Sequence, residues 1–282
     1  SKSSFLEIKM VITQPDKPVG RKQELTKSPV KILAEKLGLK IQQPATLKNY
    51  ELGTENCELG IVTQYGLLIP TSIIESFPDG ILNVHTSLLP KYRGASPIQT
   101  ALMNGEKKTG VTIMQLNEGL DTGPIISQKE QGIDPDDTHP TLEKKLVTVG
   151  TELLLETIPL YINKTILPQP QDETKATLCT PLTRDQGRVD WKKTASEIYN
   201  QYRGLTPWPG VWTTLYGKRV KLLSLSPSNE RIDAGKMVIE NGKVMVGSSD
   251  GSLVIHTLQF EGKKAMESSD IQHGYAHLHG HY

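Results

Sequence analysis

The chain has 282 residues, 36% of them hydrophobic and 22% charged, and its formal net charge is +1. These values indicate an ordinary globular protein with room for two domains, and the net charge gives no sign of nucleic-acid binding. No apolar run approaches the roughly 20 residues of a membrane span, and no signal peptide is evident. Cys57 and Cys179 have neither metal-ligand spacing nor a disulfide framework. We therefore expect a cytoplasmic protein with no membrane association and no metal.

The N-terminal stretch predicts a strand, a basic loop and a helix, in that order. Large apolar residues recur at every second position of residues 7–13, which favours a strand. Prolines and a glycine punctuate residues 14–21, and a helix is predicted from Ser28-Pro29 to Gly38. Between Lys17 and Lys31 there is a single acid, Glu24, and the basic residues are Lys17, Arg21, Lys22, Lys27 and Lys31. Flexible basic side chains suit phosphate contacts, although an ordinary solvated loop would show the same pattern.

After strands predicted at 39–42 and 59–64, a short strand at 80–85 carries the polar residues of greatest interest. Side chains alternate across a strand, so Asn83 and His85 share one face at its carboxyl end, where α/β sheets bind ligands. Asp121 adds a carboxylate from a later glycine-flanked loop. An imidazole oriented by a carboxylate can act as a general base, and an amide can stabilise an oxyanion. The set suits direct attack by an external amine, whereas a core histidine with two turn residues is the alternative.

The predicted elements continue with a helix at 96–103, strands at 110–115 and 124–129, and a helix at 139–161. Strands alternating with helices predict a mainly parallel α/β sheet, and no G-x-G-x-x-G or P-loop supports a nucleotide cofactor. A polar, proline-containing linker is predicted at 164–174. A helix at 193–204 and Pro207-Trp208-Pro209-Gly210 follow, and then come short strands with tight turns, which predict a small β-barrel. The predicted short strands are 211–216, 219–225, 236–240, 243–247 and 252–258.

Charge is distributed unevenly between the two parts of the chain. Residues 1–174 hold 18 Lys and Arg against 21 Asp and Glu, or −3, and residues 175–282 hold 14 against 10, or +4. A weakly basic second part is compatible with phosphate contacts. Lys218, Arg219 and Lys221 are candidates for such contacts, and a solvated strand face is the alternative.

Several motifs resemble the folate-dependent formyltransferase family over nearly the whole chain. They are Asn83-Val84-His85, Ser87-Leu88-Leu89-Pro90, residues 110–115, Gly119-Leu120-Asp121-Thr122-Gly123 and Pro207-Trp208-Pro209-Gly210. The resemblance implies a Rossmann-like, mainly parallel catalytic domain at 1–163, the linker at 164–174, and an OB-like β-barrel at 175–282 that helps bind tRNA. It implies Asn83, His85 and Asp121 as the catalytic residues. It further implies 10-formyltetrahydrofolate as formyl donor and initiator methionyl-tRNA as acceptor, and we expect a monomer.

The resemblance also implies where the two substrates bind. Residues near the folate donor would be Tyr65, Gly66, Leu67, Leu68, Ser87, Leu88, Leu89, Pro90, Ile133, Asp134 and Asp136. Residues contacting tRNA would be Lys17, Arg21, Lys22, Lys27, Arg93, Lys218 and Arg219. Plain core packing is the alternative for Leu67 and Leu68.

One departure from the family concerns the N-terminal side of the sheet. The family's first strand and most of its first helix, roughly 25 residues, have no counterpart, so we expect a gap where the central strand of a doubly wound sheet belongs. Two other functions remain open: formyl transfer to a sugar or nucleotide amine, and a non-catalytic RNA-binding remnant. The basic loop and the Pro-Trp-Pro-Gly domain argue against the first.

Overall fold

The structure is a computed structural model that describes residues 6–20, 23–53, 57–215, 217–240 and 242–274. The chain forms two compact units, each assembled from several segments. The first unit contains Ser1–His85, Thr112–Ser127 and Leu154–Gln171, and the second contains Thr86–Val111, Gln128–Leu153 and Asp172–Tyr282. The predicted domain boundaries at 163 and 174 stay a prediction.

The elements are numbered in chain order. As far as the first long helix they are β1 (Val11–Ile12), β2 (Lys17–Val19), β3 (Glu24–Thr26), α1 (Pro29–Lys36), β4 (Ile41–Gln42), β5 (Gly60–Val62), α2 (Thr71–Ile74), β6 (Ile81–His85), β7 (Arg93–Gly94), α3 (Pro97–Met103), β8 (Lys108–Gln115), β9 (Ile125–Gly132) and α4 (His139–Ile162). Those that follow are β10 (Leu178–Cys179), α5 (Ala195–Leu205), β11 (Val211–Leu215), β12 (Lys218–Ser228), β13 (Met237–Glu240), β14 (Lys243–Gly247), β15 (Ser252–Phe260), β16 (Met266–Glu267) and α6 (Ser268–Gly274). Among the helices of the described residues, none combines the length and apolar character needed to cross a bilayer.

The strand pairs of the first unit are partly parallel and partly antiparallel. β5 pairs with β6 in parallel, and β1 pairs with β4 in parallel. β8 pairs with β6 in the antiparallel sense, with His85 opposite Thr112. The chain thus returns beside the carboxyl end of β6 instead of crossing over the sheet, which makes the sheet less parallel than predicted.

The described strands of the first unit form separate sheets. The order β5-β6-β8-β9 makes a four-stranded sheet, and β1-β4 stands apart as a pair. Within the described ranges no ladder joins these two sheets.

Two early predictions were wrong in extent. The strand predicted at 7–13 is ordered as β1 only at Val11–Ile12, and the predicted loop carries the antiparallel hairpin β2–β3. α1 begins as predicted, because the Ser28 hydroxyl caps the Lys31 N–H. Its apolar side chains are more exposed than its pattern suggests: Ala34 is buried but Leu33 is 57% exposed.

The predicted linker and the residues that follow it form backbone hydrogen bonds within each unit. In the first unit, Ile125 and Gln169 exchange backbone N–H···O bonds of 2.8 Å in both directions. In the second unit, β10 pairs in parallel with β7. The linker over 164–174 stays a prediction, and within it the backbone N–H and carbonyl of Gln169 are hydrogen-bonded.

The second unit is built on an antiparallel sheet packed against α5. The strand order is β11-β12-β15-β14-β13, with β16 beside β15, and Ile198 and Leu205 of α5 join its core. Thr194 and Glu197 form a capping box that starts α5. In the described ranges no ladder connects β13 to β11, so the OB-like closed barrel is not confirmed.

Candidate active site

The three predicted catalytic side chains converge in the first unit. Asn83 Nδ2 donates to Asp121 Oδ1 over 3.3 Å, and His85 Nδ1 lies 3.6 Å from Asp121 Oδ2. Asn83 and His85 are 8% and 6% exposed, which is the burial expected on a central strand. The carboxylate therefore stands between an amide and an imidazole, and its second oxygen faces Nδ1 at charge-contact distance.

Glycines shape the loop that carries Asp121. A Cβ on Gly123 would lie 1.8 Å from the Gln115 carbonyl oxygen, and one on Gly119 would lie 2.0 Å from Thr122 Oγ1. Only residues without a side chain allow the backbone to pass so closely. Asp121 itself has φ of 51°, in the left-handed region that non-glycine residues rarely adopt.

Polar side chains that the sequence did not single out hold this loop. Asn117 Oδ1 accepts from the Gly119 N–H and from the Thr122 hydroxyl, over 3.1 Å and 3.0 Å. Gln171 Nε2 donates to the carbonyl oxygens of Asp121 and Gly123. Gln171 lies in the predicted linker, and no local signal there points to a loop 50 residues away.

Four of the residues predicted near the folate donor follow β5 in the first unit: Tyr65, Gly66, Leu67 and Leu68. Leu67 and Leu68 help line a cavity of about 340 Å³, and Leu68 is 86% exposed. Gly66 has φ of 74°. The Tyr65 carbonyl accepts from Gln14 Nε2, whereas its hydroxyl is buried with no hydrogen-bond partner among the described residues, and this burial raises the pKa of Tyr65.

The predicted folate-side loop at residues 87–90 belongs to the second unit, and its contacts are internal. Ser87 is fully buried, and its hydroxyl donates to the Lys91 carbonyl over 2.6 Å. Leu89 is buried and its carbonyl accepts from Gln128 Nε2, while the Pro90 carbonyl accepts from the Thr177 N–H. Leu88 is partly buried. The proton of the Ser87 hydroxyl is thus committed to the Lys91 carbonyl, and the contact of residues 87–90 with the folate donor stays a prediction.

The other predicted donor residues, Ile133, Asp134 and Asp136, lie in a braced loop of the second unit. Ile133 is buried, whereas Asp134 and Asp136 are exposed. Lys145 Nζ lies 2.7 Å from Asp134 Oδ2, and the Tyr199 hydroxyl donates to Asp136 Oδ1 over 3.0 Å. Burial and that bond raise the pKa of Tyr199 to about 12.

Arg203 of α5 also hydrogen-bonds to the loop that contains Asp134, Asp136 and Asp137. Arg203 Nη1 donates to the Asp137 carbonyl over 3.0 Å, and Arg203 Nη2 donates to Asn200 Oδ1 over 2.6 Å. Burial lowers the pKa of Arg203. The sequence pattern of α5 predicts its apolar face but gives no signal for these contacts.

The basic loop near the N-terminus is less electropositive than its composition suggests. Lys27 Nζ lies 2.8 Å from Glu35, and Lys31 Nζ lies 2.7 Å from Asp16. Lys17 is exposed and donates to Gln14 Oε1. Arg21 and Lys22 lie outside the described residues.

Arg93 is placed differently from its predicted tRNA contact. It is 4% exposed, and its guanidinium binds Glu173 bidentately, with Nη1 and Nη2 at 2.9 Å and 2.7 Å from the carboxylate oxygens. The Glu173 carboxylate occupies the pair of N–H groups that would bind a phosphate bidentately, and the tRNA contact of Arg93 stays a prediction.

The predicted basic residues lie at the start of β12 in the second unit, with Arg219 and Lys221 on one face of the strand and Lys218 on the other. Lys218 and Lys221 are exposed, and the ladder places Lys221 opposite Trp212. The guanidinium carbon of Arg219 lies 4.0 Å above the Trp212 ring. This cation–π contact holds one basic group flat on an aromatic platform.

No group of three or more metal-ligating side chains that could hold an ion occurs within the described part of the chain.

Comparison with known proteins supplies the family. A model described as formyl transferase matches residues 1–158, and one described as formyl transferase, C-terminal domain, matches residues 181–276. The methionyl-tRNA formyltransferase of Caldicellulosiruptor saccharolyticus is 42% identical over 278 residues, covering 95% of this chain and 89% of the relative. The methionyl-tRNA formyltransferase of Thermodesulfovibrio yellowstonii is 41% identical over 272 residues, covering 95% and 88%.

A solved structure agrees with these relatives. The N-formyltransferase of Helicobacter canadensis, in complex with folinic acid and dTDP-3-aminofucose, superposes with a TM-score of 0.63 at 25% identity, covering 86% of each chain. The chain therefore belongs to the formyltransferase family, alongside the methionyl-tRNA formyltransferases that it resembles over nearly its whole length.

Proposed function

We propose that this protein transfers a formyl group from 10-formyltetrahydrofolate to the free amino group of methionyl-initiator-tRNA, in the cytoplasm. The observation that carries the proposal is the Asp121 carboxylate set between the Asn83 amide and the His85 imidazole, at 3.3 Å and 3.6 Å. Relatives 42% and 41% identical that are named methionyl-tRNA formyltransferase support the choice of substrates.

The chemistry assigned to His85 is proton removal from the attacking amine. Asp121 faces Nδ1, which favours the tautomer with its proton on that nitrogen, and the role of proton acceptor is assigned to Nε2. As the amine nitrogen bonds to the formyl carbon, it must lose one proton. The bond from that carbon to the donor nitrogen then breaks, and the same proton can return to the leaving nitrogen, so the step balances without an acyl-enzyme.

The role assigned to Asn83 is stabilisation of the developing oxyanion. A side-chain amide has two N–H donors, so one can bind Asp121 while the other is offered to the formyl oxygen. Loss of one such donor typically costs about 10²–10³ in rate.

For the donor, the apolar turn after β5 offers a suitable wall. A cavity of about 340 Å³ bordered by Leu67 and Leu68 is at the lower end of the size range for small-molecule sites. Such apolar side chains could cover the flat face of a pterin.

A formylation assay with charged initiator tRNA and 10-formyltetrahydrofolate tests the proposal directly. We expect turnover with the wild-type chain and a loss of about 10²–10⁴ in kcat for His85→Ala, with tRNA affinity nearly unchanged. His256→Ala is a matched control, because His256 is exposed in β15 and bonds to Ser226 Oγ.

Three outcomes contradict parts of the proposal. Equal turnover of wild type and His85→Ala would remove the assigned role of His85. Formylation of an amino-sugar nucleotide in place of the tRNA would make the protein a sugar N-formyltransferase. Binding of tRNA with no formylation of either acceptor would indicate an RNA-binding remnant.

A further inference from the structure

Gln171 makes a paired contact with the backbone of the catalytic loop. Its Nε2 donates to the Asp121 carbonyl over 2.8 Å and to the Gly123 carbonyl over 2.7 Å. These are well-formed hydrogen bonds, and a single amide nitrogen supplies both hydrogens. One side chain therefore closes the Asp121–Gly123 turn from outside.

The loop needs such a restraint because little of its own backbone is in regular structure. β8 ends at Gln115 and β9 begins at Ile125, so residues 116–124 lie outside the ladder between them. Asp121 has φ of 51°, a conformation that surrounding contacts must maintain. Leu120, its neighbour, is 64% exposed and offers no core anchor.

Gln171 is itself fixed in register with the loop. Gln169 and Ile125 are joined by two backbone bonds of 2.8 Å in an antiparallel bridge. Continuing that register by two residues sets Gln171 opposite Gly123, whose carbonyl oxygen accepts from Gln171 Nε2. The predicted linker therefore delivers the amide to a defined place.

We infer that Gln171 is a positioning residue of the formyl-transfer site, which holds the Asp121 carboxylate between Asn83 and His85. The effect of Gln171 on catalysis rests on the proposed function, whereas its contact with the loop does not. Displacement of a catalytic group by about 1 Å can cost about 10²-fold in rate, so a loosened loop has a measurable effect.

Gln171→Leu tests the inference, because it keeps the size of the side chain and removes both donors. We expect kcat to fall about 10- to 100-fold while KM for tRNA and for the folate donor changes less than about twofold. Gln169→Leu is the matched control: it alters the same segment but leaves the backbone bridge with Ile125 in place. It should retain wild-type kcat.

A double-mutant cycle with Asp121→Asn separates positioning from a general structural role. Once the carboxylate is gone, Gln171→Leu should lower the residual kcat little further, so the two losses are strongly non-additive. Additive losses would overturn the inference, and so would a loss of kcat that accompanies a large drop in the thermal midpoint.

Amide hydrogen exchange tests the same inference without activity. Residues 116–124 should exchange faster in Gln171→Leu than in Gln169→Leu, while β6 remains unchanged. Unchanged exchange in the loop would overturn the inference. If the wild-type chain formylates no acceptor, the proposed function fails while the exchange result still decides whether Gln171 holds the loop.

Discussion

At the scale of single residues, Gly123 shows how closely the catalytic loop approaches its own strand. Its φ is not in the left-handed region, so the need for glycine comes from space alone: an added Cβ would lie 1.8 Å from the Gln115 carbonyl oxygen. Backbone cannot give way as the end of a flexible side chain can. The loop must move by more than an ångström to admit a methyl group, and Asp121 moves with it.

We therefore expect Gly123→Ala to lower both stability and turnover. The free energy of unfolding should fall by about 1–3 kcal/mol, as in overpacked interiors, and kcat should fall at least about tenfold. Gly132→Ala is the control, because a Cβ there meets nothing within 4 Å. Chemical denaturation and the formylation assay check both values. A wild-type kcat in Gly123→Ala would show that the loop geometry has no bearing on the site.

The residue scale also shows which parts of the site the sequence could predict. Asn83 and His85 were predictable because two residues of one strand share a face, whatever the rest of the chain does. The Asp121–Gln171 contact was not, because it joins residues 50 positions apart and depends on the register of a two-residue bridge. The burial of Arg93 was not predictable either, because its ion pair with Glu173 joins residues 80 positions apart.

At the scale of elements, the segments whose own residues carry a clear strand or helix pattern were predicted best. β6, α3 and α4 lie where their patterns place them, because a buried strand and an amphipathic helix carry their own signal. β1 is shorter than the pattern at 7–13 suggests, because a strand extends only as far as its partner, and β4 supplies two residues. The sheet became mixed because alternation of strands and helices does not determine strand direction.

The start of α4 depends on a charge pair whose effect varies with pH. Burial pushes the pKa of Asp137 up, but hydrogen bonds from Lys145, the Asp134 N–H and Thr141 together hold it below its usual 3.8. The pKa of Asp137 is therefore lower in the folded than in the unfolded protein. Its contribution to the free energy of unfolding is complete above the unfolded-state pKa and is lost as pH falls through the folded-state pKa. Lys145 Nζ lies 2.6 Å from Asp137 Oδ2.

Lys145→Met should thus destabilise the protein in a pH-dependent way. At pH 7 the free energy of unfolding should fall by about 1–2 kcal/mol, since a buried carboxylate loses its charged partner. The difference from wild type should shrink as pH falls from about 5 towards about 2. Lys144→Met, at the exposed neighbouring position, serves as the control in urea titrations at both ends of this range. A difference that is constant with pH would show that the carboxylate charge is not the cause.

At the scale of the whole molecule, the net charge of +1 means that attraction for tRNA must arise locally. The basic residues at the start of β12 are one candidate, with Lys218 exposed and Arg219 stacked on Trp212. Each phosphate contact releases counterions and steepens the dependence of affinity on salt. A surface basic residue that contacts no phosphate leaves the salt dependence of affinity almost unchanged.

Lys218 and Lys243 allow this distinction to be measured with matched variants. Both are exposed, and each opens a strand directly after a glycine, Gly217 or Gly242. Lys218→Ala should reduce the slope of log K against log salt by about 1, because one phosphate contact is lost. Lys243→Ala removes the same charge from another hairpin and should leave the slope as it is. Equal shifts in the two variants would mean that tRNA senses only the total charge of the protein, and the start of β12 would then have no specific part in binding.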